Sequence, residues 1–360
     1  MLDEKSRAWI KLARAKLPDA LKRRVLERCP DPREALRFDL ESLNTRSRRS
    51  RASSRNLLAA VDQRDVVKDE DWCSLPQRSV IGLTDHLFPS LLKEISCPPI
   101  AIFCEGEQKL LRQQMIAMVG SRKPTPAGLK IAEEMAAVLS SAGFTVVSGL
   151  AIGIDTVVHV GALSAFGSTI GVCATGLDRV YPKQNTELAR DIVDKGVLIS
   201  EFPVGTPVRK HHFPRRNRMI SGLAVATVVV EAAIRSGSLI TAGFAADQGR
   251  EVFAVPGSVY SPVSRGPHHL IRDGACLVES GDQILEALGG FNSNFSNQNQ
   301  HQKPPQWSIK ILSAIDFIPT SIDQIAERSG LTISEICAML IRMECEKLIA
   351  TCSAGYIRLV

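Results

Sequence analysis

Between residues 96 and 290 the chain alternates short β-branched, apolar runs with longer stretches whose apolar positions recur every three or four residues. The runs are IAMVG (116–120), FTVVSG (144–149), STIGVCA (168–174), VLISEF (197–202), ATVVVEA (226–232), EVFAVPG (251–257) and ACLVES (275–280). Nearly continuous apolar strands separated by amphipathic helices predict an α/β fold, a parallel sheet covered on both faces. The helix signals between them are strong. Thr125-Pro126 pairs an N-cap with a proline at the first helical position. Leu129, Ala132, Met135, Ala136 and Leu139 follow at helical spacing, and Gly143 closes the segment.

The flanks read differently. Residues 1–95 look helical, basic and interrupted by prolines, with an Arg/Ser-rich stretch from Thr45 to Arg55 that predicts a polar linker. Phe291 to Pro305 is rich in Asn and Gln and ends in two prolines, the composition of a linker. Beyond it, three helical patterns and a hairpin turning at Ala354-Gly355 predict a winged helix. The expected organisation is a helical domain (1–95), a Rossmann-like domain (96–290), a linker (291–306) and a winged helix (307–360).

Composition narrows the function classes. The net charge of +6 permits a polyanionic partner, and residues 1–57 hold sixteen Lys/Arg against eight Asp/Glu. The nine cysteines include no C-x-x-C pair, so they read as reduced thiols rather than as disulfides or zinc ligands. The first residues are charged and no run is long enough to span a membrane, which predicts a soluble, cytoplasmic protein.

Candidate chemistry collects at one place. In an open parallel sheet, ligands bind beyond the carboxyl ends of the strands. The residues following the strands here are small: Gly120-Ser121-Arg122, Ser148-Gly149, Thr175-Gly176, Ser236-Gly237-Ser238 and Pro256-Gly257. Such loops let backbone N–H groups approach a phosphate, and each leads toward a helix N-terminus. No loop matches a dinucleotide or Walker fingerprint, so no nucleotide cofactor is expected. After the fourth of these strands comes VRKHHFPRRNRMISG (208–222), with five cations, an aromatic and no acid. Read as a basic loop overhanging the same edge, it has the make-up of a single-stranded nucleic acid site, with stacking on Phe213 and phosphates on its cations.

The segments VGSRKPTPAG (119–128), VSGLAIGID with His159 following, TGLDRVYPKQN (175–185), SEFPVGT (200–206), HFPRRNRMISGL (212–223), VVEAAIRSGSLITA (229–242) and GREVFAVPG (249–257) closely resemble the DNA-processing protein A family, also called DprA or Smf. The resemblance implies an extended Rossmann-like domain flanked by a helical N-terminal domain of SAM or helix-hairpin-helix type and by a winged helix. It also implies a homodimer that binds single-stranded DNA and loads RecA onto incoming strands in natural transformation, without catalysis, cofactor or metal. Carried over by motif, Arg122, Lys183, Lys210 and Arg218 take phosphate roles and Phe213 stacks a base. Gly120, Ser121, Ser148 and Gly149 supply backbone or hydroxyl donors, and Asn217 fixes the loop or bonds a base edge. One position departs: Ile152 stands where the family usually has arginine.

Several residues carry a second reading. Phe213 is either a stacking platform or a core residue, and Arg218 either binds DNA or pairs with Glu201 or Glu231. Asp155 and His159 are one helical turn apart, as a general-base pair would be, or else Asp155 caps its helix. The winged helix has five Lys/Arg against six Asp/Glu across 307–360, which predicts a protein contact or an auxiliary role rather than duplex binding. Two rival functions stand beside the main one. One is a nucleotide N-glycoside hydrolase on a lysine-decarboxylase-like fold, with Glu231 as its acid. The other is an interaction scaffold with weak DNA binding.

Overall fold

A computed structural model describes residues 2–43, 61–289, 309–315, 320–345, 348–352 and 355–358. The expected linkers at 45–55 and 291–306 lie outside the described residues. The chain divides into two compact units, Met1–Gly290 and Phe291–Val360.

The first unit opens with helices α1 (Glu4–Arg14), α2 (Asp19–Arg28), α3 (Pro32–Arg37) and α4 (Gln63–Cys73). Strand β1 (Arg78–Gly82), helix α5 (Ser90–Glu94) and strand β2 (Ala101–Gly106) follow. The chain then alternates β3 (Met115–Val119), α6 (Pro126–Ser141), β4 (Thr145–Ser148), α7 (Ile154–Ser164), β5 (Thr169–Val172), α8 (Thr186–Lys195), β6 (Val197–Ser200), α9 (His212–Leu223) and β7 (Ala226–Val229). It ends with α10 (Gly237–Asp247), β8 (Glu251–Ala254), α11 (Arg265–Arg272), β9 (Cys276–Leu277) and α12 (Gly281–Leu288).

All nine strands form one sheet in the order β1-β2-β6-β5-β4-β3-β7-β8-β9. The seven predicted strands are β3 to β9, and they run parallel. The chain order reverses at β3, so the sheet is doubly wound, and successive residues of each strand enter different cores. Ile116, Met118, Val146 and Val228 pack with α6, α7 and α12, while Met115, Ala117, Val119 and Val147 pack with α9 and the N-terminal helices. Helix α6 starts as predicted, with the Thr125 hydroxyl accepting the Gly128 N–H at 3.0 Å.

The expected boundary near residue 95 is not where the structure divides. Strand β1, from the part read as helical, pairs antiparallel with β2, and β2 pairs antiparallel with β6. Trp9 of α1 is almost fully buried in the same core as the sheet. It lies so close to Gly82 that a Cβ there would fall 1.8 Å from its ring, so only glycine fits. The N-terminal helices are therefore a layer on the sheet.

The second unit holds α13 (Ile309–Leu312), α14 (Ile322–Ser329), α15 (Ile333–Cys345) and the antiparallel hairpin β10 (Ile349–Cys352) and β11 (Gly355–Arg358). Ile311, Leu312, Ile325, Ile336, Leu340 and Met343 form its core. Ser321 and Gln324 form a capping box on α14, and Gly330 closes that helix in the left-handed region. This is the predicted winged-helix arrangement. Ala354 of the predicted turn lies outside the described residues.

Candidate nucleic-acid interface

From His212 onward the basic segment is a helix rather than a loop. Pro214 is the third residue of α9, inside the first turn, where its missing N–H costs no intrahelical bond. Because β6 and β7 are both parallel members of the sheet, the helix joining them runs back against the strands. Its first turn therefore stands at their carboxyl edge.

Helical geometry then sorts the three arginines of α9, while Arg209 and Lys210 precede the helix. Arg215 and Arg218, three residues apart, share one face and meet Glu201 at the end of β6. Arg215 lies 3.1 Å from Glu201 and 3.0 Å from Asp19 of α2, and Arg218 also donates to the Cys97 carbonyl. Burial pushes the Glu201 carboxyl up from its ordinary range, against the pull of both arginines. Arg218 is thus spent on a largely buried ion pair. The geometry does not supply the phosphate role expected of it.

Arg216 turns inward and is buried. Its Nη1 donates to the carbonyls of Gly149 and Val172, the latter at 3.1 Å. Nearby, Asp155 accepts the Gly149 N–H at 3.1 Å and the Ala151 N–H at 3.4 Å. Burial pushes the Asp155 carboxyl up, and Arg216 and these amides pull it back down. A Cβ at Gly149 would fall 1.7 Å from the Arg216 guanidinium, so the glycine is required by this close approach.

Above this floor lies a cavity of about 70 Å³, lined by Arg122, Gly149, Ala151, Ile152, Ala174, Thr175, Tyr181, Pro182, Phe213 and Arg216. Phe213 is half-buried at its rim. The Arg122 guanidinium lies 5.4 Å from its ring centroid and Tyr181 meets it edge-on at 6.0 Å. Arg122, Lys183 and Lys210 are exposed. Ile152 lines the same cavity and is 40% exposed, an apolar side chain at a solvent-facing position.

The remaining expected donors divide. The Ser148 hydroxyl is fully buried and donates to Met118 O at 2.7 Å, and the Gly149 N–H is taken by Asp155. Both are therefore committed inside the protein, and the expected donor role does not fit them. Gly120 and Ser121 stay half-buried at the edge, where the Gly120 carbonyl accepts from Ser238 and the Ser121 hydroxyl accepts the Lys123 N–H. Asn217 donates to Gly237 O at 3.1 Å, which is the loop-fixing role of its two alternatives.

Three contributors went unnoticed in the sequence: Arg216 and Asp155 as a floor, Tyr181 as a second rim aromatic, and Asn185. The last donates to Leu150 O at 2.9 Å and to Thr156 Oγ1 at 3.0 Å, tying the YPKQN loop to the SGLAIG loop. Leu150 sits at φ 56°, a left-handed conformation that a leucine holds only when its surroundings fix it. The signal available was an asparagine closing the loop between β5 and α8, immediately before the helix.

The other candidate chemistry is accounted for structurally. Asp155 does not pair with His159, whose Nδ1 meets Thr169 Oγ1 of β5 at 2.7 Å, and Gly153 rather than Asp155 is the N-cap. Glu231 accepts both the N–H (2.9 Å) and the hydroxyl (2.7 Å) of Thr125, so it anchors the start of α6. Among the described residues, no three His, Cys, Asp or Glu side chains gather as metal ligands, and no helix is long and apolar enough to cross a membrane.

A family model described as DNA recombination-mediator protein A matches residues 79–289, and one described as the DprA winged helix domain matches residues 303–355. Protein Smf of Escherichia coli (strain K12) is 38% identical over 297 residues, 80% of this chain and 79% of that protein. The solved structure of DNA processing protein A (DprA) from Streptococcus pneumoniae is similar with a TM-score of 0.70 at 35% identity, over 79% of this chain and 98% of that one. DNA processing protein A from Helicobacter pylori, solved for its single-stranded DNA binding mode, gives a TM-score of 0.55 at 26% identity, over 60% of this chain and 97% of that one. With nine strands in this order, the matched segments along one sheet edge and a winged helix beyond, the chain belongs to the DNA recombination-mediator protein A family.

Proposed function

We propose that the chain is a sequence-tolerant single-stranded DNA binder that acts as a homodimer, without catalysis, to load RecA onto strands entering the cytoplasm in natural transformation. The observation that carries this reading is the rim of the β4–β5 cavity, where Phe213 and Tyr181 stand beside exposed Arg122. An aromatic surface among cations is what successive bases and phosphates require, since stacking tolerates any base and the cations hold the backbone. Arg122, Lys183 and Lys210 take the phosphates, and Phe213 and Tyr181 take bases. Gly120 and Ser121 border the path. Arg218 and Asn217 hold α9 in position. The H. pylori relative's binding of single strands and the family's name support the assignment.

The hydrolase reading is not favoured, because the Thr125 N–H and hydroxyl already occupy the Glu231 carboxylate. The test is a titration of oligothymidine against Phe213→Ala and Tyr181→Ala, followed by RecA nucleation on strands covered with single-strand-binding protein. Each variant is expected to lose about 1–3 kcal/mol of binding free energy. The wild-type chain is expected to accelerate nucleation and the variants are not. Unchanged DNA affinity sinks the site; unchanged nucleation with the wild type sinks the RecA role alone.

A further inference from the structure

The edge that carries the cavity continues past it. The sheet order places the exits of β4, β3, β7 and β8 side by side, so the loop after β8 stands three strand spacings, about 14 Å, from the loop after β4. That loop carries Tyr260, which is 92% exposed, and Val259, which is 70% exposed. Exposed Arg235 lies in the loop after β7, and exposed Arg265 opens α11. Neither stretch 232–246 nor stretch 252–272 contains an acidic residue. Glu231, which precedes them, is buried against Thr125 and is not presented to a backbone, while exposed Asp247, Glu251 and Asp273 flank the two stretches.

The loop is also held. The Ala232 N–H donates to Val263 O at 2.7 Å and the Gly266 N–H to Ala232 O at 2.8 Å, which staples it to the start of the β7 exit. The Tyr260 N–H donates to Ser258 Oγ at 3.3 Å, and turns at Ser261 and Ser264 close the rest. An almost fully exposed ring on a loop held this way loses little freedom when a base stacks on it. Its cost to the folded chain is left uncompensated by any packing.

We propose that Tyr260, Arg235 and Arg265 form a second contact patch for the same single strand, in which Tyr260 stacks a base several nucleotides beyond the cavity and the two arginines hold the intervening phosphates. This rests on the proposed function, since it extends that site. It predicts a dependence on oligonucleotide length that the cavity alone does not give.

The experiment compares oligothymidines of about 6 and about 20 nucleotides, lengths within and beyond one such groove, on wild type, Tyr260→Ala, Tyr260→Trp and Arg235→Ala/Arg265→Ala. For the long strand, Tyr260→Ala is expected to lower affinity at least about fivefold, the low end for one stacked base. Tyr260→Trp is expected to retain it. The double arginine variant is expected to flatten the salt slope by about 1.4, two phosphates at about 0.7 each. All variants are expected to match wild type on the short strand. Unchanged long-strand binding overturns the patch while leaving the cavity standing. Equal losses at both lengths, or a change in self-association without a change in DNA affinity, overturn it too. A wild type that binds neither length overturns the cavity reading and this one together.

Discussion

Arg216 is a cation that solvent scarcely reaches, held between the carbonyls of Gly149 and Val172 with Asp155 beside it. It gives the cavity its floor and keeps the Gly149 turn open beneath Phe213. Removing it leaves two buried carbonyls without their donor, so Arg216→Met is expected to cost about 1–3 kcal/mol for each in urea unfolding. The sequence made the five-cation run conspicuous but could not rank its members. Only the helical phase of α9, and the knowledge that Glu201 waits on one side of it, separates Arg215 and Arg218 from the inward-turned Arg216, and only the helix start at His212 leaves Lys210 ahead of it and exposed. The same limit applies to Ser148 and Gly149: small residues after a strand look open to a phosphate until the neighbouring carbonyl or carboxylate that takes their hydrogens is seen.

At the scale of elements, the site is held from both faces of the sheet. Arg14 of α1 grips Asp69 of α4 through two bonds of 2.6 and 3.0 Å, and both bond the backbone of Val204 in the loop leading to α9. On the other face, His159 of α7 spans to Thr169 of β5, and burial pulls its imidazole down to about 3 from 6.5. The native state therefore stays unprotonated at this ring while the unfolded chain takes a proton below about pH 6.5. Stability is expected to be unaffected by this group above that pH and to fall as pH drops toward 3. Urea midpoints at pH 7 and pH 5 should show a smaller decline for His159→Gln than for wild type. Strands β3 to β7 were legible because both of their faces are buried and their apolar runs are unbroken, and β8 and β9 were legible from their apolar runs although β9 at the sheet edge is exposed. Strands β1 and β2 were not, since RSVIG is short and lies among helical, basic residues, and its place is set by pairing with β2, which in turn pairs with β6, rather than by its own pattern.

For the whole molecule, the composition shift near residue 95 was real but marked a layer, not a domain: Trp9 and Trp72 complete the core that the sheet begins. The division that does appear, at residues 290–291, coincides with the Asn/Gln-rich segment whose composition set it apart. What the sequence conveyed best was direction, because a parallel sheet puts every strand exit on one edge. The central claim is that this edge holds the backbone of a single strand through Arg122, Lys183 and Lys210. Its most direct test is the dependence of oligothymidine affinity on salt, with duplex DNA as the comparison. On a strand of about six nucleotides, which reaches only the cavity, three neutralised phosphates give a log–log slope of about −2.1, Arg122→Ala reduces it to about −1.4, and Ile152→Arg, which places a cation in the same cavity, steepens it to about −2.8. A slope that Arg122→Ala leaves unchanged, or equal affinity for duplex and single strand, would contradict the account.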